Sequence, residues 1–348
     1  MAAELLNTLY VFTQGAYVHL EGETVRVDLK DQRLKQTPLH HLGSIVTFGL
    51  VTVSPYLMHR CAEDGRAITF MDVNGRFLAR VEGATSGNVL LRKAQYETHR
   101  DDSAAAAVAR CIVAGKLQNC RAVLLRAIRE AGDGQRATEA VQQLNQAAGA
   151  IAGQLKSLPE ARSLDAVRGA EGHGSAAYFE AFDALITRQR TDFRFNVRSR
   201  RPPKDRVNAL LSFLYALLMN DCRAACEGVG LDPQFGFLHA IRPGRPALAL
   251  DLMEEFRAPL ADRLALTLIN RKQIAPEDFH QRPGGAVLLN EEGRKKVVTA
   301  YQQRKQTEIS HPLMKTTVPL GVVPHLQARI LARALRGDIP HYTPFIPR

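Results

Sequence analysis

Between Thr8 and about Glu82 the chain alternates apolar and polar positions in short runs: TLYVFT, AYVHLE, TVRVDL, SIVTFGLVTV, AITFMD and RFLARVE. Each is rich in β-branched or aromatic side chains, and turn formers such as Glu21-Gly22-Glu23 and Asn74-Gly75 stand between them, so each predicts a strand. PYLMHRCAEDG, at 55–65, instead has helical spacing and stops at a glycine, predicting one inserted helix. From Val89 the period changes to three and four, and Ala, Leu, Gln, Arg and Glu dominate. That pattern predicts helices over 89–99, 103–131, 135–157, 163–169, 171–189, 205–228, 251–270, 290–307 and 318–336, with a small hairpin over 279–290.

The fold class expected is therefore α+β. A small β-sheet, sandwich-like domain over 1–84 precedes a larger all-α domain over 85–336, with GATSGN at 83–88 as the hinge and 337–348 as a flexible tail. Pro202-Pro203 followed by Asp205 predicts a clean stop and an N-cap for the helix DRVNALLSFLYALLMNDCRAACEG, whose nearly all-round apolar character predicts the buried centre of the helical domain. Its apolar run, 209–219, is too short to span a bilayer, and MAAELLNTLYVFT lacks the basic opening and continuous apolar segment of a signal peptide. Five cysteines, an odd number with no C-x-x-C, predict neither a disulfide framework nor a zinc ribbon; Cys222 and Cys226 read as small core residues. A reducing cytoplasm and no membrane partner are expected.

Charge changes the picture. Lys plus Arg outnumber Asp plus Glu by 46 to 35, a net +11, which points to a polyanionic partner such as nucleic acid or an anionic membrane face. The run Arg188, Arg190, Arg194, Arg198, Arg200, Arg201, Lys204, Arg206 is either a solvated loop or a phosphate-contacting surface; interleaved Phe193 and Phe195 favour the second. Arg242, Arg245 and Arg257 are further candidates. They lie in the stretch GFLHAIRPGRPALALDLMEEFR, 236–257, which sets His239 on a turn-rich segment and Asp251 and Glu254 one helical turn apart. Glu171 stands upstream in AEGHGSAAYF, where Gly172 and Gly174 would allow close approach of a helix. One reading of Asp251 and Glu254 is a surface carboxylate pair at a helix start. The other is a divalent-ion site: one imidazole with two or three carboxylates suits Mg²⁺ or Mn²⁺, completed by water and substrate phosphate. Such an ion serves phosphodiester chemistry.

These motifs resemble the CRISPR-associated integrase-endonuclease family, the larger of the two core proteins of the spacer-acquisition complex. The resemblance rests on IVTFGLVTVSPYLMHRCAEDG, ITFMDVNGRFLARV, EG followed by AAYF, SRRPPKDRVNALLSFLYALL, GFLH and LALDLMEEFR, in the family's order and spacing, and is nearest to subtype C of type I systems. It implies that Glu171, His239 and Glu254 are the metal ligands and that Asp251 is a supporting acidic position, with Gly174 and Ser175 standing where alanines are usual. It implies a metal-dependent DNase and integrase in which a prespacer 3′-hydroxyl attacks a phosphodiester of the CRISPR array. A homodimer paired through the β domains would flank a dimer of a small ferredoxin-like second Cas protein, Cas-two. A non-catalytic DNA-binding scaffold and a stand-alone branched-DNA repair nuclease are the alternatives.

Overall fold

A computed structural model of the chain describes residues 7–30, 32–73, 77–81, 83, 89–131 and 138–347. The expected Asn74-Gly75 turn, most of the expected hinge (84–88) and the first residues of the helix expected from 135 lie outside the described residues. The chain divides into two compact units, 1–87 and 88–348.

In the first unit β1 (Asn7–Val11), β2 (Tyr17–Glu21), β3 (Thr24–Leu29), β4 (Gln32–Pro38), β5 (Leu42–Phe48), β6 (Thr52–Val53), β7 (Ala67–Met71) and β8 (Phe77–Val81) form two four-stranded sheets, ordered β1-β5-β7-β8 and β4-β3-β2-β6. The helix α1 (Pro55–Glu63) begins at Ser54, whose side chain accepts the Leu57 N–H. Val11, Val18, Val27, Ile45, Leu57 and Ile68 share one core. SIVTFGLVTV is not one strand. The chain breaks at Gly49, with φ +76°, so β5 runs in one sheet and β6 in the other. The strand β4, QRLKQTP, was not expected: almost all its residues are exposed, so it shows no buried face in its sequence.

The second unit is helical: α2 (Val89–Arg100), α3 (Asp102–Ala131), α4 (Thr138–Ser157), α5 (Leu164–Glu180), α6 (Arg206–Val229), α7 (Ala247–Phe256), α8 (Arg263–Asn270), α9 (Glu291–Lys305) and α10 (Val323–Leu335). The expected hairpin is β9 (Phe279–Gln281) with β10 (Val287–Leu289), and a second one, β11 (Glu308–Ser310) with β12 (Thr317–Pro319), occupies the start of the helix expected from 318. Asp205 caps α6 by accepting the Asn208 N–H, and Gly230 ends it at φ +90°. Long and apolar enough to span a membrane by length and composition, α6 instead buries Leu210, Leu211, Leu214, Leu217 and Leu218 within the unit, with Cys222 and Cys226 fully buried beside them. It shares the centre with α3, thirty residues long, which packs on α4, α5 and α7. The two helices expected at 163–169 and 171–189 are one continuous α5 followed by a 3₁₀ turn, Phe182–Leu185. The helix expected at 251–270 starts earlier, at Ala247, and passes through a π-helical turn, Arg257–Asp262, that accommodates Pro259.

The tail does not fray. Tyr342 and Phe345 are buried, and the backbone of Phe345 donates to Glu255 and accepts from Asn119. A tail this polar on average still carries two aromatic anchors, which is what composition alone misses.

Candidate functional site

The expected ligands come from three places, α5, the 236–239 segment and α7; a lysine of α3, Lys116, contacts two of them, Glu171 and Glu254, and His239 faces Glu254. The helix α5 packs closely on α3 at Gly174, where a Cβ would press on the terminal methyls of Leu117 and that side chain would have to shift. Gly172 faces open space and His173 is exposed, so neither takes part in that contact. The close packing brings Glu171, whose Oε1 accepts from Ser175 at 2.8 Å, against Lys116. Arg168, one turn earlier, donates from Nε to the Leu238 carbonyl at 2.8 Å and so ties α5 to the His239 segment. From the other side α2 holds the same segment: Gln95 donates to the carbonyls of Asp232 and Phe235, and the His99 ring to that of Gly236 at 2.8 Å.

Asp251 is fully buried and lies in the middle of α7, not at its start. Its carboxylate accepts the backbone N–H groups of Phe237 (2.5 Å), Leu238 (3.0 Å) and His239 (2.9 Å). It also accepts from His239 Nδ1 at 2.6 Å. A Cβ on Gly236 would come within 2.7 Å of Asp251 Oδ2, which is why glycine stands there. With its oxygens so committed, Asp251 does not face the ligand cluster as expected of a catalytic group; it positions His239. An imidazole that donates from Nδ1 to a carboxylate presents its other nitrogen as a ligand, the arrangement common behind metal-bound histidines. His239 Nε2 points to Glu254 Oε1 at 3.6 Å.

Glu254 is 2% exposed, so the surface-pair reading fails at both of its residues. It lies 3.0 Å from Arg257 and 2.9 Å from Lys116. Burial alone would raise its pKa, but Arg257, Lys116 and His239 outweigh burial and hold it down at about 2. Its Oε2 lies 2.9 Å from the Lys116 ammonium, which is its partner there. Lys116 therefore bridges two of the expected ligands, and among the described residues no group of three His, Cys, Asp or Glu side chains stands ready to hold an ion as placed. A cation already occupies the position between the carboxylates, and the imidazole is oriented by Asp251. The donor set fits a hard divalent ion once the ammonium gives way.

Lys116 was missed in the sequence, although a signal existed. It follows Ala109, Ile112 and Val113 and precedes Cys120 at helical spacing, so it occupies a core position in an otherwise apolar stripe. A lysine there needs buried partners.

The arginines divide. Arg200, Arg201, Lys204 and Arg242 are exposed and Arg245 is half-buried. Arg198 is not available as an open DNA contact: it donates to Asn208 at 2.7 Å and to Ser212, and lies 5.3 Å over the Tyr215 ring. Arg257, on the opposite side of that ring's polar cluster, is paired with Glu254 and stacks on Tyr215 at 5.1 Å. Phe193 and Phe195 are buried in the core. Composition shows a guanidinium but not its partner. Replacing Arg200 and Arg201 together by glutamine is expected to reduce the slope of log K against log salt for duplex DNA by about 2, one phosphate each, in a fluorescence-anisotropy titration. Arg198→Gln should instead lower the melting temperature.

Beneath this lies Asp262, 1% exposed, accepting from Tyr215 at 2.7 Å and Tyr178 at 3.1 Å. Burial pushes its pKa up to about 6 against the pull of both tyrosines and both arginines. A carboxyl raised in the folded state favours folding most below its unfolded value near 4 and loses that contribution as pH rises through about 6, a change on the order of 2–3 kcal/mol. Between pH 4.5 and 7 the urea midpoint should fall by less in Asp262→Asn than in the wild type, the fall that remains coming from other raised carboxyls such as Glu255.

The model of the family described as CRISPR associated protein Cas1 matches residues 9–303. The chain is 55% identical over 344 residues, 99% of each chain, to a CRISPR-associated endonuclease Cas1 of Moorella thermoacetica. Its fold is that of a casposase solved bound to an integration product, with TM-score 0.82, 21% identity and coverage of 97% and 93%. It is also that of part of a chain in a Cas6-RT-Cas1–Cas2 complex, with TM-score 0.83 and 24% identity over all of this chain and 37% of the other. With its β-rich first unit, helical second unit and site sequence, the chain belongs to the Cas1 family of CRISPR-associated proteins.

Proposed function

We propose that the protein is a metal-dependent DNA endonuclease and integrase of CRISPR adaptation, which joins the 3′-hydroxyl of a prespacer to a phosphodiester of the repeat array. The observation that supports this reading is the chain of contacts in which Lys116 links Glu171 to Glu254 and His239 Nε2 faces Glu254, within a family whose relatives are named endonucleases. Glu171, His239 and Glu254 would hold Mg²⁺ or Mn²⁺. When bound, such an ion supplies Lewis-acid polarisation of the scissile phosphate and activation of the attacking hydroxyl.

The chain's own residues do the rest. Asp251 fixes the imidazole so that Nε2 is presented without a search among rotamers. Arg257 keeps Glu254 ionised and in place, so the acceptor needs no deprotonation before it can serve. Arg200, Arg201, Lys204, Arg242 and Arg245 draw DNA phosphates to the helical unit. The reaction exchanges one phosphodiester for another: a P–O bond to the incoming 3′ oxygen forms as the bond to the displaced 3′ oxygen breaks. A homodimer paired through the β unit, where Leu34, Leu50, Tyr56 and Leu78 are exposed, together with a small ferredoxin-like Cas-two dimer, would complete the assembly.

The test is strand transfer of a labelled prespacer into a plasmid carrying a repeat array, with Mn²⁺ and the small partner. Product should require a 3′-hydroxyl and vanish with a 3′-deoxy end. Equal product from both ends, or none from either, would refute the integrase reading. Full array expansion without the partner would count against the proposed assembly with Cas-two.

A further inference from the structure

Lys116 has no assigned part in this chemistry, yet it contacts both of the ligand carboxylates. Its side chain is 7% exposed, and its ammonium reaches Glu171 and, at 2.9 Å, Glu254 Oε2. Two carboxylates, Glu171 and Glu254, face two cations, Lys116 and Arg257, so the cluster is already balanced without any metal. Adding a divalent ion to that balance would crowd the ammonium against it at contact distance, where like charges in a partly desolvated site repel strongly. Arg257 contacts Glu254 and lies over the Tyr215 ring, whereas Lys116, on a flexible four-carbon stem, contacts both Glu254 and the more open carboxylate, Glu171, which is 27% exposed. Of the two cations, Lys116 is therefore the one that an ion held by both carboxylates would displace.

We infer that Lys116 is an internal counter-cation that occupies the ligand carboxylates until a divalent ion displaces it, and that the released ammonium then pairs with the phosphate of bound DNA. The inference rests on the metal-site reading above. It makes ion binding and DNA binding mutually favourable: the ion frees a cation that DNA can neutralise, and DNA offers that cation somewhere to go. By linkage each must then strengthen the other by the same factor. Lys116 acts here as a positioning residue in the metal-free protein and touches substrate only after displacement.

Calorimetric titration of the whole protein with Mn²⁺ alone tests the inference. Lys116→Met removes the competitor, so Mn²⁺ should bind about tenfold more tightly than to the wild type, and addition of a DNA duplex should no longer improve that affinity. Lys116→Arg keeps the charge and should keep the weaker binding. Should the Met variant fail to fold, the wild type answers alone: Lys116 should resist acetylation by an N-hydroxysuccinimide ester in EDTA and become labelled under saturating Mn²⁺, read by mass spectrometry. Unchanged or weaker Mn²⁺ affinity in Lys116→Met, or a lysine that stays protected under Mn²⁺, would overturn the inference while leaving the metal site standing. Absence of Mn²⁺ binding by the wild type, or binding that survives Glu254→Gln, would instead overturn the metal-site reading.

Discussion

Glu254→Gln is expected to lower Mn²⁺-dependent strand cleavage and transfer by at least about a thousandfold, some 4 kcal/mol of transition-state stabilisation, while DNA retention stays near wild type. The substitution keeps the shape of the side chain and removes its charge. Glu254 is where the buried electrostatics meet: Lys116, Arg257 and His239 all face it. A neutral amide would leave one carboxylate, Glu171, against two cations and would offer an N–H₂ group where a lone pair is needed. Asp251→Asn gives the instructive contrast. It leaves every expected ligand in place but loosens the His239 imidazole and three backbone N–H groups, so a smaller loss, about 10- to 100-fold, should come with a lower melting temperature. Single-turnover rates with circular dichroism of each variant separate the two effects. Full activity in Glu254→Gln would mean that the reaction does not pass through this cluster.

The change of period at Val89 carried the division into a β-rich and a helical part, because strand and helix patterns differ most where one face is wet. Where no face is wet the pattern says little. In α7 nearly every residue from Ala247 to Phe256 is buried, so nothing in its spacing distinguishes Asp251, which serves the backbone, from Glu254, which faces the cluster. SIVTFGLVTV reads as one apolar strand, and only the positive φ at Gly49 sends its halves to different sheets. Glu171, His239 and Glu254 were nameable from residue type and resemblance, but Lys116 was not, since its meaning depends on α5 packing closely enough on α3, at Gly174, for Glu171 to reach it. The same limit separates Arg200 and Arg201, exposed, from Arg198, whose partners Asn208 and Ser212 stand ten and fourteen residues away.

Phe345→Ala should cost about 3–5 kcal/mol of stability, a large share of what a domain possesses, although the residue is fourth from the C-terminus. Phe345 is fully buried, stacks on Phe256 with ring centroids 5.6 Å apart and lies 5.9 Å from His311. Its backbone closes the cavity around Glu255, a fully buried carboxyl pushed up to about 7 by burial, which accepts from Phe345 N–H at 2.7 Å, Gln327 at 3.0 Å and Tyr342. Pro344 seals the other side against Gly115, where a Cβ would come within 2.6 Å of it. Removing the ring would leave a cavity under α7 and admit water to Glu255, so truncation after Gly337 should destabilise at least as much as the point change. Glu255 follows Glu254 on α7 and Gly115 precedes Lys116 on α3, so loosening of these two helices is expected to reach the ligand cluster. Mn²⁺ affinity should therefore fall with stability in Phe345→Ala, whereas Phe345→Leu, which refills most of the volume, should recover both. A truncated chain that melts with the full-length one would show that the tail's buried aromatics contribute nothing to the fold.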